Sequence, residues 1–187
     1  NSASYGNSHN NKIKNVYEHL RNKEFSKAID ELKNLSNKND SKAQLLYSKI
    51  LYSGEITTQD FEMSYFWANT SKLGGLKKSS IIISKLNDLI DEENKLKINE
   101  KIKIFLNKSA LSGDKLAIVQ IAKWNLELSP DPNFENAYKW YNIAVALGIK
   151  TAKIKRNEMI ENIDIQRLFE IQKESIKIFN KINNLGG

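Results

Sequence analysis

Two histidines, His9 and His19, and no cysteine are what this chain of 187 residues offers to metal or nucleophilic chemistry. Without thiols there is no Cys-based zinc site, no disulfide and no thiolate nucleophile. His9 stands in a polar opening segment. His19 lies beside Glu18 on a helical pattern and reads as a solvated helix residue rather than a catalytic base. Carboxylates gather in DLIDEEN, residues 88–94, where Asp88, Asp91 and Glu92 share one side of a helix end. That segment lacks the glycine-turned ligand loop of a calcium site and reads as a solvated terminus. KLGGLKK, residues 72–78, joins glycines to lysines, but no strand precedes it and the spacing is not that of a phosphate loop. Gly75 there reads as a helix stop. No serine sits in a nucleophile elbow. The sequence therefore predicts no enzyme, with no catalytic residue, no metal and no cofactor.

Two basic stretches remain, KLKINEKIKIFLNK at 95–108 and IKTAKIKR at 149–156. The net charge is +7, and it is uneven: residues 1–93 hold 13 Lys/Arg against 12 Asp/Glu, and residues 94–187 hold 16 against 10. Lys97, Lys101 and Lys108 form one helix edge of the kind that attracts polyanions. Stacking aromatics are not interleaved with them, so a solvated convex face is the preferred reading and a nucleic-acid partner is not expected. An abundance of Lys, Asn and Ile together also fits the codon drift of an AT-rich genome. An anion-binding module using 95–156, for nucleic acid, anionic lipid or acidic glycan, is retained as the alternative function.

The elements that must position such residues are helices. Apolar residues are 40% of the chain, enough for a core, and the prolines are confined to SPDPN. Ile13, Val16, Tyr17 and Leu20 follow the one-face helical rule, as do Ile82, Leu86, Leu89 and Ile90. No stretch alternates with period two, and none approaches the roughly 18 to 20 apolar residues of a membrane helix. The opening NSASYGNSHNNK lacks the apolar centre of a secretory leader. Asp40, Asp60, Asp114, Asn133 and Asp164 stand where helices begin, and Gly54, Gly75, Gly113 and Gly148 where they end. These signals predict about ten helices of ordinary length: 12–22, 24–37, 41–53, 60–73, 76–91, 96–111, 115–128, 134–147, 150–162 and 165–182. Residues 1–11 read as a disordered tail.

The pattern repeats. Trp67 and Trp140 lie 73 residues apart, as do Gly75 and Gly148, and Phe105 with Gly113 keeps the same spacing halfway between. A unit of about 35 to 38 residues containing two antiparallel helices signals an α-solenoid, in which neighbouring pairs bury each other's apolar faces. Ala43, Ser48, Ser64 and Ser71 are small residues at helical spacing, matched by Ala117, Ala122, Ala137 and Ala144. The tryptophans are expected to fill the gaps between pairs.

At these residues the chain resembles the bacterial Sel1-like repeat family, a relative of the tetratricopeptide repeats. Ala43, Ser48, Gly54, Ser64, Trp67 and Gly75 sit on that family's register, and Ala117, Ala122, Ala137, Trp140, Ala144 and Gly148 repeat it. Phe105 and Gly113 carry the middle unit, and the segment from Thr151 to Phe179 resembles a closing cap. The expectation is an all-α fold: one α-solenoid over 12–187 of about five antiparallel helix pairs (12–37, 41–74, 76–112, 115–148 and 150–182) in a right-handed superhelix. The resemblance implies a monomeric, non-catalytic scaffold or adaptor, exported to the periplasm or beyond rather than cytoplasmic. Its protein or peptide partner would lie along the first helix of each pair. That nominates Lys14, Glu18 and Arg21, then Lys42, Leu45, Lys49 and Tyr52, then Val119, Lys123 and Leu126. Lysine beside Tyr and Leu suits a peptide with acidic and apolar side chains.

Overall fold

The computed structural model describes residues 2–185, with side chains from residue 11 onward, and among these every regular element is helical. The helices are α1 (Ser2–Arg21), α2 (Phe25–Asn37), α3 (Ser41–Ser53), α4 (Phe61–Leu73), α5 (Ser79–Asn87), α6 (Glu92–Leu111), α7 (Lys115–Glu127), α8 (Phe134–Ala146), α9 (Ala152–Met159) and α10 (Ile165–Leu185). A 3-10 turn, Ile160–Asn162, follows α9. Of the tail expected over 1–11, residue 1 lies outside the described residues and residues 2–11 belong to α1. Two compact units are present, Asn1–Ile98 and Asn99–Gly187, and the division falls inside α6 rather than in a linker.

The helix boundaries follow from short polar side chains. A helix leaves its first N–H groups without intrahelical acceptors, and a side-chain oxygen just before it supplies one. Asp40 accepts from the Ala43 N–H at 2.9 Å and Asp60 from Met63 at 2.9 Å. Asp114 accepts from Leu116 and Ala117 at 3.0 and 3.3 Å, Asn133 from Asn136 at 3.0 Å, and Asp164 from Gln166 at 2.9 Å. At the other ends Gly54, Gly75, Gly113 and Gly148 all take positive φ. Gly54 is the most constrained: at φ +66°, an added Cβ would lie 2.7 Å from the Gln59 Cβ. Two further turns close in the same left-handed region without glycine, at Lys23 (φ 58°) and Asn39 (φ 64°).

Within the first unit α3 and α4 run antiparallel. The Ser64 hydroxyl donates to the Ser48 carbonyl at 2.7 Å, and the Ser71 hydroxyl to the Ser41 carbonyl at 2.8 Å, so numbering rises on one helix as it falls on the other. Ala43, Ser48, Ser64 and Ser71 are all fully buried at this crossing. In the second unit Ala117, Ala122, Ala137 and Ala144 occupy the corresponding positions of α7 and α8 and are likewise fully buried. The connecting loops close alike as well. Asp60 N–H donates to Leu51 O at 3.0 Å, and Asn133 N–H to Asn125 O at 2.8 Å, at equivalent places in the repeat.

Large side chains then fill the remaining space. Trp67 is buried, edge-on to Phe66 with ring centroids 4.7 Å apart and tilted against Tyr47 at 6.4 Å. Trp140 is buried at the matching position of α8. A third indole, Trp124, is buried on α7 and donates its N–H to the Asn99 carbonyl at 2.8 Å. Phe105 is half-buried, while Ile102, Leu106 and Ala110 of the same helix are fully buried. At the C-terminal end α8 and α10 run parallel, since Glu135, Tyr138 and Lys139 meet Arg167, Gln172 and Glu174 in rising order.

Apart from one-residue shifts, several boundaries differ from the sequence reading. Helix α1 starts at Ser2 rather than at 12. Helix α5 is shorter than 76–91, and Lys78 at its start makes no side-chain capping bond. Helix α6 starts at Glu92 rather than 96, because Asp91 accepts from the Asn94 N–H at 2.8 Å. The expected 150–162 helix splits into α9 and a 3-10 turn, and α10 continues to Leu185.

If the tryptophans fill the pairs, Trp67→Ala and Trp140→Ala each lower the unfolding free energy by about 3–5 kcal/mol. Urea denaturation followed by circular dichroism measures this, with a smaller loss expected for half-buried Phe105→Ala.

Candidate functional site

In the first unit, α1, α3 and the connection between α4 and α5 surround a single cleft. Ile13 and Tyr17 come from α1, Leu45 and Leu46 from α3, and Leu76 from the α4–α5 connection, making an apolar floor. Lys42 and Lys49 of α3, with Lys77 and Lys78 of the connection, form the rim. The cleft volume is about 680 Å3. Lys42 and Lys49 are seven residues apart, two turns of helix, so their ammonium groups stand on the same side of α3. All four lysines are exposed, and among the described residues none has an ion-pair partner. Tyr17 is 49% exposed, an aromatic ring left half in water beside that concentration of positive charge.

Of the residues nominated from sequence, Lys42, Leu45 and Lys49 meet in this cleft. Lys14, Glu18 and Arg21 lie on the exposed side of α1 and are not among its lining residues; Arg21 instead faces Glu18 at 3.9 Å. Tyr52 is elsewhere on α3. Its ring packs on Phe61 with centroids 5.7 Å apart, under the Lys85 ammonium at 5.7 Å. Tyr17, Leu76, Lys77 and Lys78 were not nominated. The available signal was the clustering of lysines after Gly75, but nothing in linear spacing connects that turn to the middle of α1.

Val119, Lys123 and Leu126 meet in the second unit. With Tyr141, Lys155 and Met159 they line a smaller groove of about 310 Å3. Burial, reinforced by the Glu127 and Glu158 carboxylates, pushes the Tyr141 phenol up to about 12, so it is a neutral hydroxyl at any physiological pH.

The other chemistry-bearing residues serve structure. His19 Nδ1 lies 2.6 Å from the Glu24 carboxylate and its Nε2 is 3.8 Å from Glu31, tying the α1–α2 turn together rather than facing solvent beside Glu18. Asp91 caps α6, and the bonds from Asn94 hold its carboxyl below the usual aspartate range. In the basic stretches Lys95 pairs with Glu92 at 2.7 Å, Lys97 with Glu93 at 2.6 Å, Lys103 with Glu100 at 3.8 Å and Lys155 with Glu158 at 3.0 Å. Among the described residues no three His, Asp or Glu side chains form a group able to hold a metal ion, and no helix is long and apolar enough to cross a membrane.

Antiparallel helix pairs with a recurring buried signature make this an all-α helical-repeat protein. No protein-family model matches the chain, and no curated protein matches it. Among solved structures it is similar to a protective antigen of uropathogenic Escherichia coli described as displaying an SLR (Sel1-like repeat) fold, at 15% identity and a TM-score of 0.41. The match covers 83% of this chain and 41% of that one, so the chain spans less than half the length of that protein.

The α1–α2 turn gives a pH signature. The hydrogen bond from His19, and to a lesser degree the Lys27 charge, hold the Glu24 carboxyl below the ordinary glutamate range. A depressed folded pKa contributes stability that is present above the unfolded value, about 4.3, and lost as pH falls through the folded value. The difference in melting temperature between the native chain and Glu24→Gln is therefore expected to be largest near neutral pH and to shrink towards zero below about pH 4. Thermal melts across that range read it directly.

Proposed function

We propose that this chain is a non-catalytic interaction module whose first unit takes an acidic peptide segment in the cleft among α1, α3 and the α4–α5 connection. The observation that carries this reading is the rim: Lys42, Lys49, Lys77 and Lys78 surround an apolar floor, and among the described residues no carboxylate neutralises them. Like charges brought together on a folded surface repel, and an anionic partner relieves that repulsion while screening by salt weakens it. The floor adds the second half of the chemistry. Ile13, Tyr17 and Leu76 sit beside the charges, so a ligand presenting carboxylates alternately with bulky apolar side chains satisfies both. The volume of about 680 Å3 is suited to a few side chains rather than to a folded domain. The lysine stems can lie along the apolar chains of the ligand while their heads reach its carboxylates.

The alternative reading, a polyanion surface across 95–156, draws less support. Lys95, Lys97, Lys103 and Lys155 already face their own carboxylates on the same helices. Local pairing at these four positions lowers the field of that surface and leaves Lys101 and Lys108 of the nominated edge to carry it.

The test is fluorescence anisotropy with a dye-labelled peptide of alternating glutamate and leucine, and with its glutamine counterpart. The glutamate peptide is expected to bind and to weaken as salt rises; the glutamine peptide is expected to bind much less. Lys49→Glu with Lys77→Glu is expected to weaken the glutamate peptide about 10- to 100-fold at unchanged helicity. Equal affinity of the double variant and the native chain would contradict the cleft.

A further inference from the structure

A second binding groove lies in the other unit, independent of the lysine cleft. Helices α8, α9 and α10 enclose about 430 Å3 around Arg156. Arg156 is half-buried and its guanidinium meets two neutral oxygens: Nε–H donates to Asn157 Oδ1 at 3.1 Å, and Nη1 to Asn142 Oδ1 at 3.5 Å. A guanidinium carries five N–H donors. Those two bonds engage two of them and leave three, one on Nη1 and both on Nη2. Across the groove Gln172 Nε2 donates to the Tyr138 hydroxyl at 3.0 Å, which leaves that O–H to act as a donor in turn.

The charge balance is what calls for a ligand. None of the residues lining the groove is acidic. The nearest carboxylate in sequence, Glu158, is engaged by Lys155 at 3.0 Å. An arginine partly withdrawn from water gains from an anionic partner, which replaces part of the lost hydration. Elsewhere in this unit the rule is followed: Arg167 meets both Glu135 and Glu170, and Lys139 meets Glu174. Arg156 is held by amides, which orient a guanidinium without neutralising it. The walls are apolar: Ile160 and Ile176 flank the groove and are 39% and 58% exposed.

We infer that this groove binds a peptide through one acidic side chain, whose carboxylate bridges to Arg156 while neighbouring apolar residues of the peptide cover Ile160 and Ile176. One guanidinium balances one carboxylate, and the fork geometry of the two groups allows parallel bonds. A doubly charged phosphate would be left half-neutralised. Asn142, Asn157 and Gln172 offer amide groups of the kind that pair with a peptide backbone.

The probe is acetyl-Leu-Glu-Leu-amide, with acetyl-Leu-Gln-Leu-amide and inorganic phosphate as comparisons. Nuclear magnetic resonance follows the Arg156 Nε–H signal, assigned by its loss in Arg156→Gln. The glutamate peptide is expected to shift that signal to saturation and the glutamine peptide to leave it in place. Arg156→Lys, which keeps the charge and loses the fork, is expected to bind about tenfold more weakly by calorimetry. Lys49→Glu with Lys77→Glu is expected to leave the Arg156 response unchanged, so failure of the lysine cleft and failure of this groove are separable. Equal shifts from both peptides, unaltered affinity in Arg156→Gln, or saturation by phosphate at lower concentration than by the glutamate peptide would each overturn the assignment.

Discussion

Close approach of two helix backbones is the constraint on which the rest of this molecule depends. The distance between packed helices is set by the side chains at their crossing. Here those side chains are single methyl or hydroxymethyl groups: Ala43, Ser48, Ser64 and Ser71 in the first unit, and Ala117, Ala122, Ala137 and Ala144 in the second, all fully buried. The serines also satisfy their own polarity across the crossing, through Ser64 to the Ser48 carbonyl and Ser71 to the Ser41 carbonyl. A buried hydroxyl without such a partner would cost about 1–3 kcal/mol. Alanine performs the same steric task with no polar atom to satisfy, which explains why the two units share a geometry while differing in chemistry.

That approach determines what the outward faces hold. With α3 pressed onto α4, the side of α3 bearing Lys42 and Lys49 is turned towards α1 and the α4–α5 connection, where Lys77 and Lys78 arrive. In the second unit the contact of α8 with α9 and α10 brings Asn142, Arg156 and Gln172 to one groove. In both places cations stand beside apolar side chains with no carboxylate lining the space. Some basic residues elsewhere face acidic partners, as Lys97 does Glu93 and Arg167 does Glu135. Both of these concave places set cations beside apolar side chains without an acidic residue in the lining, and that combination is what the binding proposals rest on.

Much of the fold was legible because its determinants are local. Asp40, Asp60, Asp114, Asn133 and Asp164 bond N–H groups two or three residues away, and Gly54, Gly75, Gly113 and Gly148 close helices by their own φ. The eight small residues are recognisable because they recur at one period. Helix α5 was overdrawn because Ile82, Leu86 and Ile90 keep helical spacing beyond the helix that forms. The turns at Lys23 and Asn39 carry no glycine to announce them. The cleft was half legible: Lys42, Leu45 and Lys49 share a face of one helix, whereas Tyr17 and Lys77 come from other elements. The groove around Arg156 was hidden for the same reason: Arg156 ends the basic stretch 149–156, while Asn142 and Gln172 come from other helices. Lateral packing, not spacing along the chain, brings them together, and Tyr52 was nominated on a helical face that turns instead towards Phe61.

The most direct test of this account enlarges the small residues at the crossing and nothing else. Unfolding free energies of Ala122→Leu and Ala137→Leu, measured by urea denaturation, are compared with Ala146→Leu, which lies on the exposed end of the same helix pair. Losses of about 1–3 kcal/mol or more at the two buried positions, against a change within about 0.5 kcal/mol at Ala146, are what close backbone approach predicts. Equal, small changes at all three positions would show that the crossing has room to spare, and the account of how these helix pairs are built would fail.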